Sequence, residues 1–125
     1  MKTKVELYAP EEFNHLPPEI LAEYGCGPGG IGDILVPDTV WFLSIKPACK
    51  RHDYMYEIGK TEEDKQIADR VFRNNMIRII VAHTHNKWLL RRRLKRAHLY
   101  YKMVRDHGGP FYWEGKNKPE ELQSV

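Results

Sequence analysis

The feature that most constrains the fold is the punctuation of residues 44–110. Ser44 can cap a helix, Pro47 stands in its first turn, where a missing N–H costs little, and Gly59 ends it at about Ile58. Thr61-Glu62-Glu63-Asp64 has the form of a capping box and starts a second helix at once, running to about Ala82. His83-Thr84-His85-Asn86 breaks the chain. A further helix runs from about Lys87 to Asp106 and is stopped by Gly108-Gly109-Pro110. Long helices joined by such short connections pack as antiparallel neighbours, so the expected class is all-α. At 125 residues the chain, 1–125, is expected to be a single domain.

Upstream the signals change. Pro17-Pro18 stops any helix, and PEILAEY after it allows a short helical turn. YGCGPGGIGD, Tyr24 to Asp33, then carries five glycines and a proline, a loop whose backbone must take conformations that other residues avoid. The two cysteines, Cys26 and Cys49, allow one bridge or none, and their number alone does not decide between these.

The helix that begins near Ser44 places Ile45, Cys49, His52, Asp53 and Tyr56 within an arc of roughly 100°, with Lys50, Arg51, Tyr54 and Glu57 outside it. The adjacent His52 and Asp53 are therefore expected on the buried side, at a cost of several kcal/mol unless each has a partner. The next helix carries the apolar stripe Ala68, Phe72, Met76 and Ile79, with Asp69 at its edge. Antiparallel packing through the short turn brings Asp69 near His52. A carboxylate on one imidazole nitrogen fixes the tautomer and leaves the other nitrogen as a base. Asp53 needs a different partner. A hard cation such as Ca2+, which takes about six to eight oxygens including backbone carbonyls, is one that a glycine-rich loop helps to hold. Taken singly, a helix histidine, a glycine-rich turn and a buried aspartate are each more often structural; here all three coincide.

The net charge of +3 hides an asymmetry. Between Val71 and Arg105 there is no Asp or Glu, while Arg73, Arg78, Lys87, Arg91, Arg92, Arg93, Lys95, Arg96, Lys102 and Arg105 are basic. In the last long helix the apolar spacing directs Leu90, Leu94, Ala97, Tyr101 and Val104 inward and leaves Arg92, Lys95, Arg96 and Lys102 to form a basic face. Such a face suits an anionic partner, phospholipid head groups or nucleic acid. No run of about 18 apolar residues is present, so no membrane span is expected.

Taken together, these residues resemble the secreted phospholipase A2 superfamily. Its glycine-rich loop is matched by Tyr24-Gly25-Cys26-Gly27-Pro28-Gly29-Gly30, its C-x-x-H-D helix by Cys49-Lys50-Arg51-His52-Asp53 with Tyr56 following, and its second-helix aspartate by Asp69. The match spans Tyr24 to Met76, under half of the chain. Ala48 stands where venom and pancreatic members often have a cysteine, so the chain looks more like the cysteine-poor bacterial, fungal or viral branches. The resemblance implies an all-α fold of two antiparallel catalytic helices with a glycine-rich calcium loop, core 24–82, and an additional basic helix at about 87–106. It implies that Ca2+ is held by the carbonyls of Gly25, Gly27 and Gly29 and the carboxylate of Asp53. His52 would deprotonate a water, Asp69 would orient His52, and Tyr56 would hydrogen-bond Asp69. The implied reaction is calcium-dependent hydrolysis of the sn-2 ester of a glycerophospholipid at a membrane surface.

With the loop required to reach Asp53, a Cys26–Cys49 disulfide is expected to staple it to the helix. The expected partners are the phospholipid substrate and an anionic membrane surface met by the basic helix. A secreted or particle-associated location fits the resemblance, although the N-terminal residues show no apolar segment of a secretory signal. Two other readings compete: a non-catalytic phospholipase-like module for lipid binding or structure, and a basic nucleic-acid-binding helical domain resting on RRRLKR, Arg91 to Arg96. The joint presence of His52, Asp53 and Asp69 favours the enzyme.

Overall fold

The computed structural model of the chain describes residues 5–24 and 36–116. Among these the architecture is all-α with one small hairpin. After a 3-10 turn at Glu11–His15 come α1 (Pro18–Leu21), β1 (Thr39–Val40), β2 (Leu43–Ser44), α2 (Lys46–Ile58), α3 (Glu62–His83), α4 (Lys87–His107) and α5 (Gly109–Trp113).

Local chemistry sets the boundaries. α2 begins at Lys46 with Pro47 in its first turn; Ser44, expected as its cap, ends β2 instead and its hydroxyl only accepts a 3.3 Å bond from the Lys46 N–H. At α3 the Thr61–Asp64 capping box forms in full, each side chain taking the other's backbone N–H. The Asn86 side chain caps α4 by accepting from the Leu89 N–H. Gly59 caps the end of α2 with an extended backbone, and Tyr112 leaves no room there for a side chain: an added Cβ would stand 2.5 Å from its hydroxyl.

α3 is the central helix. Ala48 and Cys49, early in α2, share a core with Met76, Ile79 and Ile80, late in α3, while Met55 and Tyr56 pack with Ala68 near its start, so α2 and α3 run antiparallel. Lys65, early in α3, reaches the carbonyls of Val104 and Arg105, late in α4, so α4 runs antiparallel to α3 in turn. The main core is completed by Val36, Val40, Ile45, Phe72, Ala97, Tyr100 and Val104. No helix of the described residues is long and apolar enough to cross a membrane.

The N-terminal segment overturns part of the helical-wheel reading. Tyr54, placed outside the buried arc, is buried because Phe13 and Tyr24 pack their rings against it at 5.4 and 5.5 Å. Tyr8 is tied to the fully buried Asn75 of α3 by a reciprocal pair of 2.9 Å bonds that imitates a strand pairing. On α4 it is Tyr100, not Tyr101, that is buried, with Leu90 and Leu94 packed at the core's margin. Arg93, one of the basic residues of the stretch without acids, is buried.

Arg93 is buried because it holds the hairpin. Thr39 pairs with Ser44 and Val40 with Leu43, leaving Trp41-Phe42 as a two-residue turn with φ of +44° and +71°. That left-handed geometry normally selects Asn-Gly, and in bulky residues it costs about 1–3 kcal/mol at each position. The guanidinium of Arg93 donates from Nε and Nη2 to the Trp41 carbonyl, at 3.2 and 2.9 Å, and from Nη1 to the Thr84 hydroxyl at 2.8 Å. The Tyr100 hydroxyl donates to the Thr39 carbonyl at 2.8 Å, and Val40 is fully buried.

Candidate active site

Two of the residues singled out in the sequence meet across the α2–α3 contact. His52 Nε2 lies 2.8 Å from Asp69 Oδ1, and the pair is buried, at 3% and 1% exposure. The same oxygen accepts from the Tyr56 hydroxyl at 2.6 Å. Spacing explains the meeting. Tyr56 follows His52 by one helical turn, so both project toward the same turn of α3. The imidazole is wedged between Phe72, stacked at 4.6 Å, and the Tyr56 ring at 4.2 Å, which fixes its plane.

Sequence reasoning did not select Lys65, which completes the cluster. Its ammonium, 3% exposed as a residue, donates to Asp69 Oδ2 at 2.9 Å and to the Val104 and Arg105 carbonyls at 3.2 and 3.3 Å. Both oxygens of Asp69 are thus bonded, and the lysine is bonded as well, which a buried ion requires. The signal was present in the sequence: Lys65, Ala68, Asp69 and Phe72 follow the i, i+3, i+4, i+7 pattern of one helix face, so a lysine sits on an apolar stripe one turn before the aspartate.

The electrostatics follow. Burial alone would raise the Asp69 carboxyl, but the bonds and charge offered by His52, the Tyr56 hydroxyl and the Lys65 ammonium outweigh it, and the carboxyl stays below its ordinary value. Tyr56 is pushed well above the ordinary phenol value by burial first and then by the negative charge and hydrogen bond of Asp69, so it remains a neutral donor. An ionised Asp69 takes the Nε2 proton of a neutral His52 as a hydrogen bond and leaves the lone pair on Nδ1.

Asp53 departs from expectation. It is half-buried rather than buried, and it lines a cleft of about 420 Å³ with Glu23, Tyr24, Glu57, Glu114 and Lys116. The wheel gave its direction but not its depth, because on the side of Asp53 α2 faces Glu23, Tyr24 and α5 across the cleft rather than a long helix. Tyr24, the first residue of the glycine-rich motif, donates its hydroxyl to Glu57, one turn beyond Asp53, so the motif departs from beside Asp53. α5 closes the far side. The Tyr112 hydroxyl donates to the Thr61 carbonyl at 2.6 Å, its ring stands edge-on to Tyr56 at 5.1 Å, and Lys116 Nζ donates to the Tyr56 carbonyl.

The expected calcium-loop carbonyls of Gly25, Gly27 and Gly29, and Cys26, lie outside the described residues. Cys49 is buried on the α2 face that carries His52 and is not a free thiol. Among the described residues no group of three or more His, Cys, Asp or Glu side chains is placed to hold a metal ion. Asp53 is the one expected ligand within them, a hard oxygen donor that lines the cleft beside Tyr24. No family model, curated protein or solved structure matches this chain.

Proposed function

We propose that the chain is a calcium-dependent hydrolase of the sn-2 ester of glycerophospholipids, working at a membrane surface. The observation that carries this reading is the buried Asp69 carboxylate, which binds His52 Nε2 and the Tyr56 hydroxyl with one oxygen and is held ionised by Lys65 with the other.

In this reading His52 Nδ1 takes a proton from a water, and the resulting hydroxide attacks the sn-2 carbonyl carbon. The carbon–oxygen bond to the glycerol breaks, and Nδ1 returns the proton to the departing oxygen, so the base is regenerated with no covalent acyl intermediate. Asp69 stabilises the transient imidazolium and fixes the ring; Tyr56 and Lys65 hold Asp69. Asp53 and the main-chain oxygens of Gly25, Gly27 and Gly29 are the proposed calcium ligands, and the ion, when bound, supplies positive charge for the developing oxyanion. A Cys26–Cys49 bridge is proposed to fasten that loop to α2.

The experiment is hydrolysis of mixed phosphatidylglycerol–phosphatidylcholine vesicles, with calcium and with excess chelator. Chelation is expected to abolish release of fatty acid and calcium to restore it. His52→Asn is expected to lower the rate by about 10² or more, and Asp53→Asn to resist rescue by calcium. Full hydrolysis in excess chelator removes calcium from the reaction, and vesicle binding without hydrolysis leaves a non-catalytic lipid-binding module.

A further inference from the structure

Phe42 is 93% exposed at the tip of the hairpin, in a left-handed backbone conformation that its side chain disfavours. Asn-Gly makes the same turn without strain, and a ring with nearly all its surface in water returns little to the fold. Trp41 beside it has the same unfavourable backbone. A bulky aromatic pair at a turn where small residues would be cheaper points to something outside the molecule.

Behind the tip lies a groove of about 490 Å³ walled by Trp41, Trp88 and Leu99 together with Arg91, Lys95 and Arg96, and no carboxylate is among the described residues that line it. Arg92 also lies along it, its guanidinium 4.6 Å from the centre of the Trp88 ring and 5.3 Å from that of Trp41. The turn cannot fold back, because Arg93 grips the Trp41 carbonyl and Tyr100 the Thr39 carbonyl. The result is a rigid aromatic tip on a collar of arginine and lysine.

We propose that this tip and collar are a docking surface for an anionic phospholipid bilayer. Trp41 and Phe42 enter the boundary between head groups and acyl chains, and the collar pairs with lipid phosphates. Aromatic side chains favour that boundary, and an apolar wedge plus several cations gives the two signals that stable surface attachment requires. Single-stranded nucleic acid needs open ring faces for bases to stack on. Here the two tryptophans are packed edge-on to each other with the Arg92 guanidinium over both rings, and the most open ring, Phe42 at 93% exposure against 58% for Trp88, stands at the tip rather than inside the groove. The inference rests on the proposed function for the identity of the surface and not for any chemistry.

Binding is therefore measured on the His52→Asn chain, by co-sedimentation with vesicles of phosphatidylglycerol and phosphatidylcholine and with vesicles of phosphatidylcholine alone. Strong binding to the anionic vesicles, weakened by salt, is expected. Replacing Trp41-Phe42 by Asn-Gly, which relaxes the turn but also removes the contacts of Trp41 with Trp88 and Arg92, is expected to weaken it about tenfold or more. Phe42→Gly alone, which alters no core contact, is expected to act in the same direction. Arg91→Gln with Lys95→Gln is expected to weaken binding to anionic vesicles and flatten its salt dependence. Equal binding to both vesicle types, unchanged binding by both turn variants, or displacement of the vesicles by a single-stranded oligonucleotide overturns the proposal.

Discussion

Asp69 gives one oxygen to a histidine and a tyrosine and the other to a lysine, all in the interior, so it cannot be neutralised without stranding a partner. Its carboxyl is depressed below the ordinary value of 3.8. A depressed carboxyl contributes stability that is fully present above the unfolded value and is lost as the pH falls through the folded one. The cluster is therefore expected to lose strength below about pH 4. Lys65→Met tests the arrangement. It removes a lowering influence while burial, which raises, remains; the carboxyl moves up, and acid unfolding followed by circular dichroism is expected to begin at higher pH than in the parent. At neutral pH the loss is expected to be about 3–5 kcal/mol in urea titrations, the cost of breaking a buried pair. An unchanged acid limb would mean that the ammonium does not hold the carboxylate.

At the scale of elements, the α4–α5 junction bears on the same cluster. A Cβ added at Gly108 would stand 2.6 Å from the Tyr56 hydroxyl and press on the Val104 carbonyl, whereas one at Gly109 meets nothing within 4 Å. Gly108→Ala is expected to cost about 1–3 kcal/mol, and part of that cost is expected to vanish in a Tyr56→Phe background, where the opposing oxygen is gone. Gly109→Ala is the control. Additive costs from Gly108→Ala and Tyr56→Phe would show that the junction does not bear on Tyr56.

The helices were legible in the sequence because their ends are written in local chemistry: the Thr61–Asp64 box, Pro47 and Gly59 each act on their own neighbours, whereas the Asn86 cap was read only as part of a break. The meeting of His52 with Asp69 was legible because a two-helix antiparallel contact has few registers. Residues whose burial depends on remote segments were not legible. Tyr54 is covered by Phe13 and Tyr24, and Arg93 by a hairpin that no strand-like alternation announces. Asp53 was given too much depth because a helical wheel treats every neighbour as a full-length helix. Lys65 was passed over because a lysine is counted as surface, and only its i, i+4 relation to a buried aspartate marks it otherwise.

For the molecule as a whole, the hairpin's dependence on α4 sets an order of events in time. A two-residue turn with both residues in the left-handed region is a poor place to begin, and the bonds that hold it span 52 residues, from Trp41 to Arg93, and 61, from Thr39 to Tyr100. Loop closure over such distances is paid before the contact returns anything, whereas the α2–α3 and α3–α4 contacts lie across short turns. The hairpin should close last, after the rate-limiting barrier. Trimming its buried residue by Val40→Ala, at a cost of about 1–3 kcal/mol, is then expected to speed unfolding about tenfold and to leave the refolding rate within about twofold in stopped-flow experiments. A matching slowdown of refolding would place the hairpin in the nucleus. If the order holds, the helical core exists for a moment with its basic edge bare, and the aromatic tip is the last part of the molecule to be set in place.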